Sequence, residues 1–144
     1  MIEQDTIELL KECDAGVKMG ASSIGDVIEY VADEKLKACL EKCREEHLVI
    51  EKEIEKHLAR FNDEGKEPAV IAKSMSWMKT NIMLTINESD ETIADLMTDG
   101  CNMGVKSLNK YLNKYVSADE FSKDIAKRLI NLEEKLAVDI RSYL

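Results

Sequence analysis

Cys39, Cys43 and His47 stand four residues apart in the run CLEKCREEH. On a helix such residues share a face, so two thiols and an imidazole would line one ridge. Zinc and copper(I) both take donors of this kind. The outer two members lie about 12 Å apart along a helix axis, so one ion cannot use all three. A Cys43–His47 pair would need ligands from other helices, with Cys13, Cys101 and Asp14 as candidates. The run also lacks the close Cys-x-x-Cys spacing of a zinc knuckle. Free cysteine packs as a small apolar side chain, and Cys43 falls in the stripe Leu36, Leu40, Ile50, Ile54, Leu58. Packing is therefore the simpler reading of the thiols, and no metal or other cofactor is expected.

His47 is the member that packing explains least, because it occupies a stripe position where an apolar residue belongs. A buried histidine ordinarily donates to a carbonyl or a carboxylate. Asp14 lies on the stripe of its own helix, and a carboxylate there is costly without a donor. The sequence therefore predicts a polar cluster at mid-bundle of Asp14 and His47, with Glu46 beside them. Glu53 and His57, four residues apart, read as an exposed helix-stabilising pair. The mixed charges of KCREEH and EKEIEKHL read as a solvated face. There is no glycine-rich phosphate loop, and no serine or cysteine has a base and an orienting residue beside it. Cys101 follows Gly100 in a helix interior, away from the helix N-terminus that would favour a thiolate. No catalytic residue is expected.

These residues would be positioned by helices. The first is expected at about 5–31, capped by Asp5 or Thr6, with Ile7, Leu10, Val17, Ala21, Ile24, Ile28 and Val31 on a three-four repeat. Gly16, Gly20 and Gly25 weaken it but let a neighbour approach closely. Asp33 can cap a second helix at about 34–62, which stops at Gly65 and Pro68. A shorter helix at about 68–86 carries Ile71, Met75, Met78 and Ile82 on one face, with Trp77 beside it. Ser89 or Asp90 caps a third long helix to about 114, its inner face running through Ile93, Leu96 or Met97, Gly100, Met103 or Gly104, Leu108 and Tyr111. Ser117 caps the last, at about 118–143, which uses Phe121, Ile125, Leu129, Leu132, Leu136, Ile140 and Tyr143. Four helices of roughly 40 Å suit an all-α antiparallel bundle. Tight turns make two hairpins, and a long crossover holding the short helix joins them.

Composition narrows the function. The chain has 144 residues, few aromatics, one proline and a formal net charge of −9. That length suits a single domain spanning 1–144. The acidic balance argues against nucleic acid and anionic lipid as partners. No apolar run approaches the about 20 residues of a membrane span, and the acidic N-terminus is unlike a signal peptide. A cytoplasmic protein with four free thiols is expected. Trp77 and Met78 are of the types enriched in interface cores. They make the crossover a candidate interface for a homo-oligomer, most simply a dimer.

The segments DAGVK, GKEP, SWMK, DGCNMGVKSLNKYL and LEEKLAVDIRSYL resemble a bacterial ferritin-like family of unknown function, distantly related to rubrerythrin. The resemblance covers nearly the whole chain and implies the ferritin-like four-helix fold. Di-iron members of the wider superfamily place one glutamate on each of two helices and Glu-x-x-His on each of the others. Here Arg44 and Ile54 stand three residues before the two histidines, so Glu-x-x-His does not occur, and Glu134 is followed at that spacing by Ala137. The third helix reads Gly100-Cys101-Asn102 where an inward glutamate would stand, and Gly20 to Ser23 in the first offers hydroxyls. The expectation is a bundle without an intact di-iron centre, of structural or protein-interaction role. The alternative is a metal-binding protein: a degenerate iron site using Asp14 and Glu134, or zinc or copper(I) held by Cys13, Cys39, Cys43, His47 and Cys101.

Overall fold

The computed structural model describes residues 2–61 and 89–144. Within them lie four α-helices: α1 (Ile2–Val27), α2 (Glu34–Ala59), α3 (Ser89–Lys114) and α4 (Glu120–Ile140). Short 3-10 turns, Ile28–Tyr30 and Arg141–Tyr143, follow α1 and α4. Every element among the described residues is helical. The expected crossover helix, with Trp77 and Met78, lies outside them.

Each helix carries an apolar stripe, and α2 and α4 begin at an aspartate cap. Asp33 caps α2 as expected, its carboxylate accepting the Leu36 N–H at 2.9 Å. The stripe Leu36, Leu40, Cys43, His47, Ile50, Ile54, Leu58 is buried throughout. At α4 the cap is Asp119 rather than Ser117, accepting the Ser122 N–H at 2.8 Å. Asp5 and Thr6 do not cap α1, which begins at Ile2. They serve the α3–α4 turn instead: the Ser117 N–H donates to Asp5 Oδ2 at 3.0 Å and the Asp119 N–H to Thr6 Oγ1 at 2.8 Å. Asp90 likewise looks outward from α3, its two oxygens accepting the N–H groups of Ala32 and Asp33 at 2.8 and 3.0 Å. The hydroxyl of Tyr143 donates to Asp33 Oδ1 at 2.9 Å.

Those bonds define two ends. The α1–α2 turn, the start of α3 and Tyr143 meet at one; the start of α1, the α3–α4 turn and the end of α2 meet at the other. His57 near the end of α2 stands 3.4 Å from Asp119 and stacks on Phe121. Between the ends, residue numbers fall on α2 as they rise on α1, Gly20 facing His47 and Gly25 facing Arg44. They rise together on α1 and α4, Gly16 facing Leu129 and Gly20 facing Glu133. Helices α1 and α4 pack on each other and on both remaining helices; α2 and α3 pack mainly on those two.

The core draws on all four helices, with Leu9, Leu10, Ile24, Leu36, Leu40, Ile54, Leu58, Ile93, Ile125, Leu129 and Ile140 fully buried. Each such side chain stabilises the fold by about 1.5–3 kcal/mol relative to exposure. On α3 both Leu96 and Met97 are buried, and Gly104 rather than the exposed Met103 faces inward. Phe121 is not in the core; it lies on the surface against His57. Among the described residues no helix is long and apolar enough to cross a membrane.

Candidate functional site

Midway along α2, the stripe that buries Cys43 and Ile50 also buries His47, which is 1% exposed. Its Nδ1 lies 2.8 Å from the Cys43 carbonyl oxygen and 3.6 Å from the Cys43 sulfur. A carbonyl only accepts, so Nδ1 carries a proton. Nε2 lies 2.8 Å from Oε1 of Glu133 on α4. Nε2 donates to that carboxyl group, so the ring carries a proton on both nitrogens. Burial, the largest influence, pushes the histidine pKa down. It is outweighed by the hydrogen bonds to Cys43 and Glu133 and by their charge, so the pKa rises to about 10.

The other two helices close around this pair. On α1, a Cβ at Gly20 would stand 2.5 Å from His47 Nε2, 2.6 Å from its Cδ2 and 3.4 Å from Glu133 Oε1. Only a residue without a side chain fits there. On α3, Gly104 passes the Glu133 side chain, which a Cβ there would meet at 3.7 Å. Burial, and then the charge and hydrogen bond of Glu133, raise the Cys101 pKa above the usual thiol range. Burial likewise lifts Cys13 to about 12 and raises Cys39. These thiols are protonated at neutral pH and are poor nucleophiles.

Of the residues singled out from sequence, Cys43 and His47 meet, Cys101 is buried on α3, and Asp14 and Glu134 do not join His47. Asp14 is fully buried, but it pairs with Lys18 one turn along α1, at 2.8 Å. The expected Asp14–His47 cluster is thus two separate pairs, and Glu46 belongs to neither. Glu134 is exposed; its neighbour Glu133 reaches inward. Sequence reasoning missed Glu133, although it stands four residues after Leu129 and three before Leu136, on the same face. Cys39 is partly buried and Cys13 lies within the core. The Glu53–His57 pair does not form. Glu53 instead takes both guanidinium nitrogens of Arg128, at 3.0 and 2.7 Å, while His57 turns to Asp119.

A carboxylate-bridged iron pair does not fit this donor set. Around His47 the four helices supply one imidazole, one carboxylate, two thiols and two glycines. Asp14, the other buried carboxylate among the described residues, is engaged with Lys18. Nor do three His, Cys, Asp or Glu side chains among the described residues form a ready-made metal cage. No family model, no curated protein and no solved structure matches the chain.

Proposed function

We propose that this chain is a ferritin-like antiparallel bundle in which a buried His47–Glu133 pair occupies the interior that relatives use for two irons. It serves as a structural or protein-interaction module in the cytoplasm and activates neither oxygen nor peroxide. The observation that carries the reading is the mid-bundle donor set, one imidazole and one carboxylate bonded to each other at 2.8 Å. Support for the arrangement comes from the two ends. Asp90 at the start of α3 bonds the α1–α2 turn, whereas His57 near the end of α2 reaches the α3–α4 turn. The end of α2 and the start of α3 thus stand at opposite ends, as they do in a ferritin-like bundle.

The test is anaerobic titration of the full chain with ferrous iron, followed by exposure to oxygen and, separately, peroxide. The expected result is no stoichiometric iron and no catalysed oxidation. Two irons per chain with oxygen or peroxide turnover would refute the reading.

A further inference from the structure

We propose that His57 is a proton-operated latch between the end of α2 and the α3–α4 corner, closed by the imidazolium and released by the neutral ring. The ring stands where three charge-sensitive contacts meet. Its Nε2 is 3.4 Å from Oδ2 of Asp119. Its face stacks on Phe121 with centroids 4.2 Å apart, and Phe61 meets it edge-on at 5.8 Å. Its own carbonyl accepts the Arg60 N–H in the last turn of α2, where helix carbonyls concentrate negative charge. A carboxylate, an aromatic face and a helix C-terminus each attract a cation. A charged N–H···O bond ordinarily closes to about 2.7–2.9 Å, so the contact at 3.4 Å has room to tighten.

The receiving half of the latch is fixed in place. The Asp119 N–H donates to Thr6 Oγ1 at 2.8 Å and Oδ1 accepts the Ser122 N–H at 2.8 Å, which leaves Oδ2 toward α2. Burial pushes the Asp119 pKa up, but the hydrogen bonds from Ser122 and His57 outweigh it and hold the carboxyl below its ordinary range. The proton is therefore left to the ring. The other charged groups at this end are engaged or point to solvent. Glu53, one turn earlier on α2, is held by Arg128 of α4, and Asp5 at the start of α1 accepts the Ser117 N–H. Lys56 and Arg60 of α2 and Glu120 and Asp124 of α4 are exposed. The chain has two histidines, and they differ in kind. His47 keeps its proton far beyond neutral pH, its pKa standing at about 10. A histidine ordinarily changes charge between about pH 5 and 8, and with His47 outside that window the change falls to His57. The added proton is favoured by the closed arrangement, so closure belongs to the acid side and is lost as pH rises. Once released, the last turn of α2 frays independently of the corner, and Phe61 and Phe121 lose the ring on which both pack.

The test follows the full chain by NMR from about pH 5.5 to 8. The His57 ring and the amides of Phe61, Asp119 and Ser122 are expected to shift along one single-proton curve. Hydrogen-exchange protection of the Arg60 and Phe61 amides, corrected for the intrinsic pH dependence of exchange, should fall by about two- to fivefold, the range a surface ion pair supports. His57→Gln keeps a donor beside Asp119 and abolishes that fall. Asp119→Asn keeps a capping side chain, removes the charge and diminishes the fall. Circular dichroism confirms that each variant is folded; should Asp119→Asn not fold, the unaltered chain and His57→Gln decide. The proposal is overturned if the ring titrates while the Asp119 and Ser122 amides stay still, if the fall in protection persists in His57→Gln, or if folded Asp119→Asn leaves it undiminished.

Discussion

Replacing Gly20 by alanine adds one methyl group where His47 and Glu133 already fill the space. Considered as a helix residue alone, the change should help, since alanine is favoured over glycine in a helix by about 1 kcal/mol. Considered in place, the new Cβ would stand 2.5 Å from His47 Nε2 and 2.6 Å from Cδ2. Ordinary contact needs about 3.4 Å or more, so the ring must retreat by nearly an ångström. That breaks the 2.8 Å bond to Glu133 and leaves a buried charge without its partner. Disrupting a buried ion pair in this way costs about 3–5 kcal/mol. The net expectation is a loss of about 2–4 kcal/mol, a fall of roughly 10 °C in Tm for a chain of this size. Gly16→Ala is the control, because its Cβ meets only Leu129 Cδ2 at 3.9 Å. That variant should gain up to about 1 kcal/mol. Urea unfolding of both variants beside the unaltered protein measures the difference. If Gly20→Ala proves as stable as Gly16→Ala, the account of the interior is wrong.

Two further outcomes follow from the same pair. His47 has a folded pKa raised to about 10, against about 6.5 in the unfolded chain. The folded state therefore binds more protons between those values, and stability falls as pH rises. The histidine's contribution is fully present below about pH 6.5 and declines above it by up to about 1.4 kcal/mol per pH unit. Urea midpoints measured from pH 6.5 to 7.5, below the about 8.5 at which unfolded thiols ionise, should show that slope, and Glu133→Gln should flatten it; a slope unchanged in the variant contradicts the assignment. Glu133→Ala alone should cost about 3–5 kcal/mol, whereas His47→Leu with Glu133→Leu should cost far less than the two single changes summed. Additivity in that double-mutant cycle would mean the two side chains do not interact.

Legibility of the fold in the sequence varied by element. The whole inner face of α2 is readable because Leu36, Leu40, Ile50, Ile54 and Leu58 define one stripe and leave His47 nowhere else to point. Helix α4 is less decisive, since Leu132 and Glu133 are both buried and Glu134 stands next in line. Adjacent glutamates differ by only one step around the helix, so the inward one emerges only when His47 is known to face it. Asp5, Thr6 and Asp90 look like caps for their own helices. Their partners are the N–H groups of residues 117, 119, 32 and 33, and such distant donors leave no local spacing to read. Phe121 fits the apolar stripe of α4 but finds the imidazole of His57 outside it, a stacking that hydrophobic periodicity does not encode.

Asp33 has a consequence beyond starting α2. One oxygen of its side chain serves both the first turn of α2 and the hydroxyl of Tyr143, while its own N–H is held by Asp90 of α3. Helix termini ordinarily fray one at a time at little cost. At this corner a fluctuation that unwinds the beginning of α2 must also loosen the beginning of α3 and the last turn of the chain. Three termini are thereby coupled into a single opening event, and the corner's dynamics belong to the bundle as a whole rather than to any one helix.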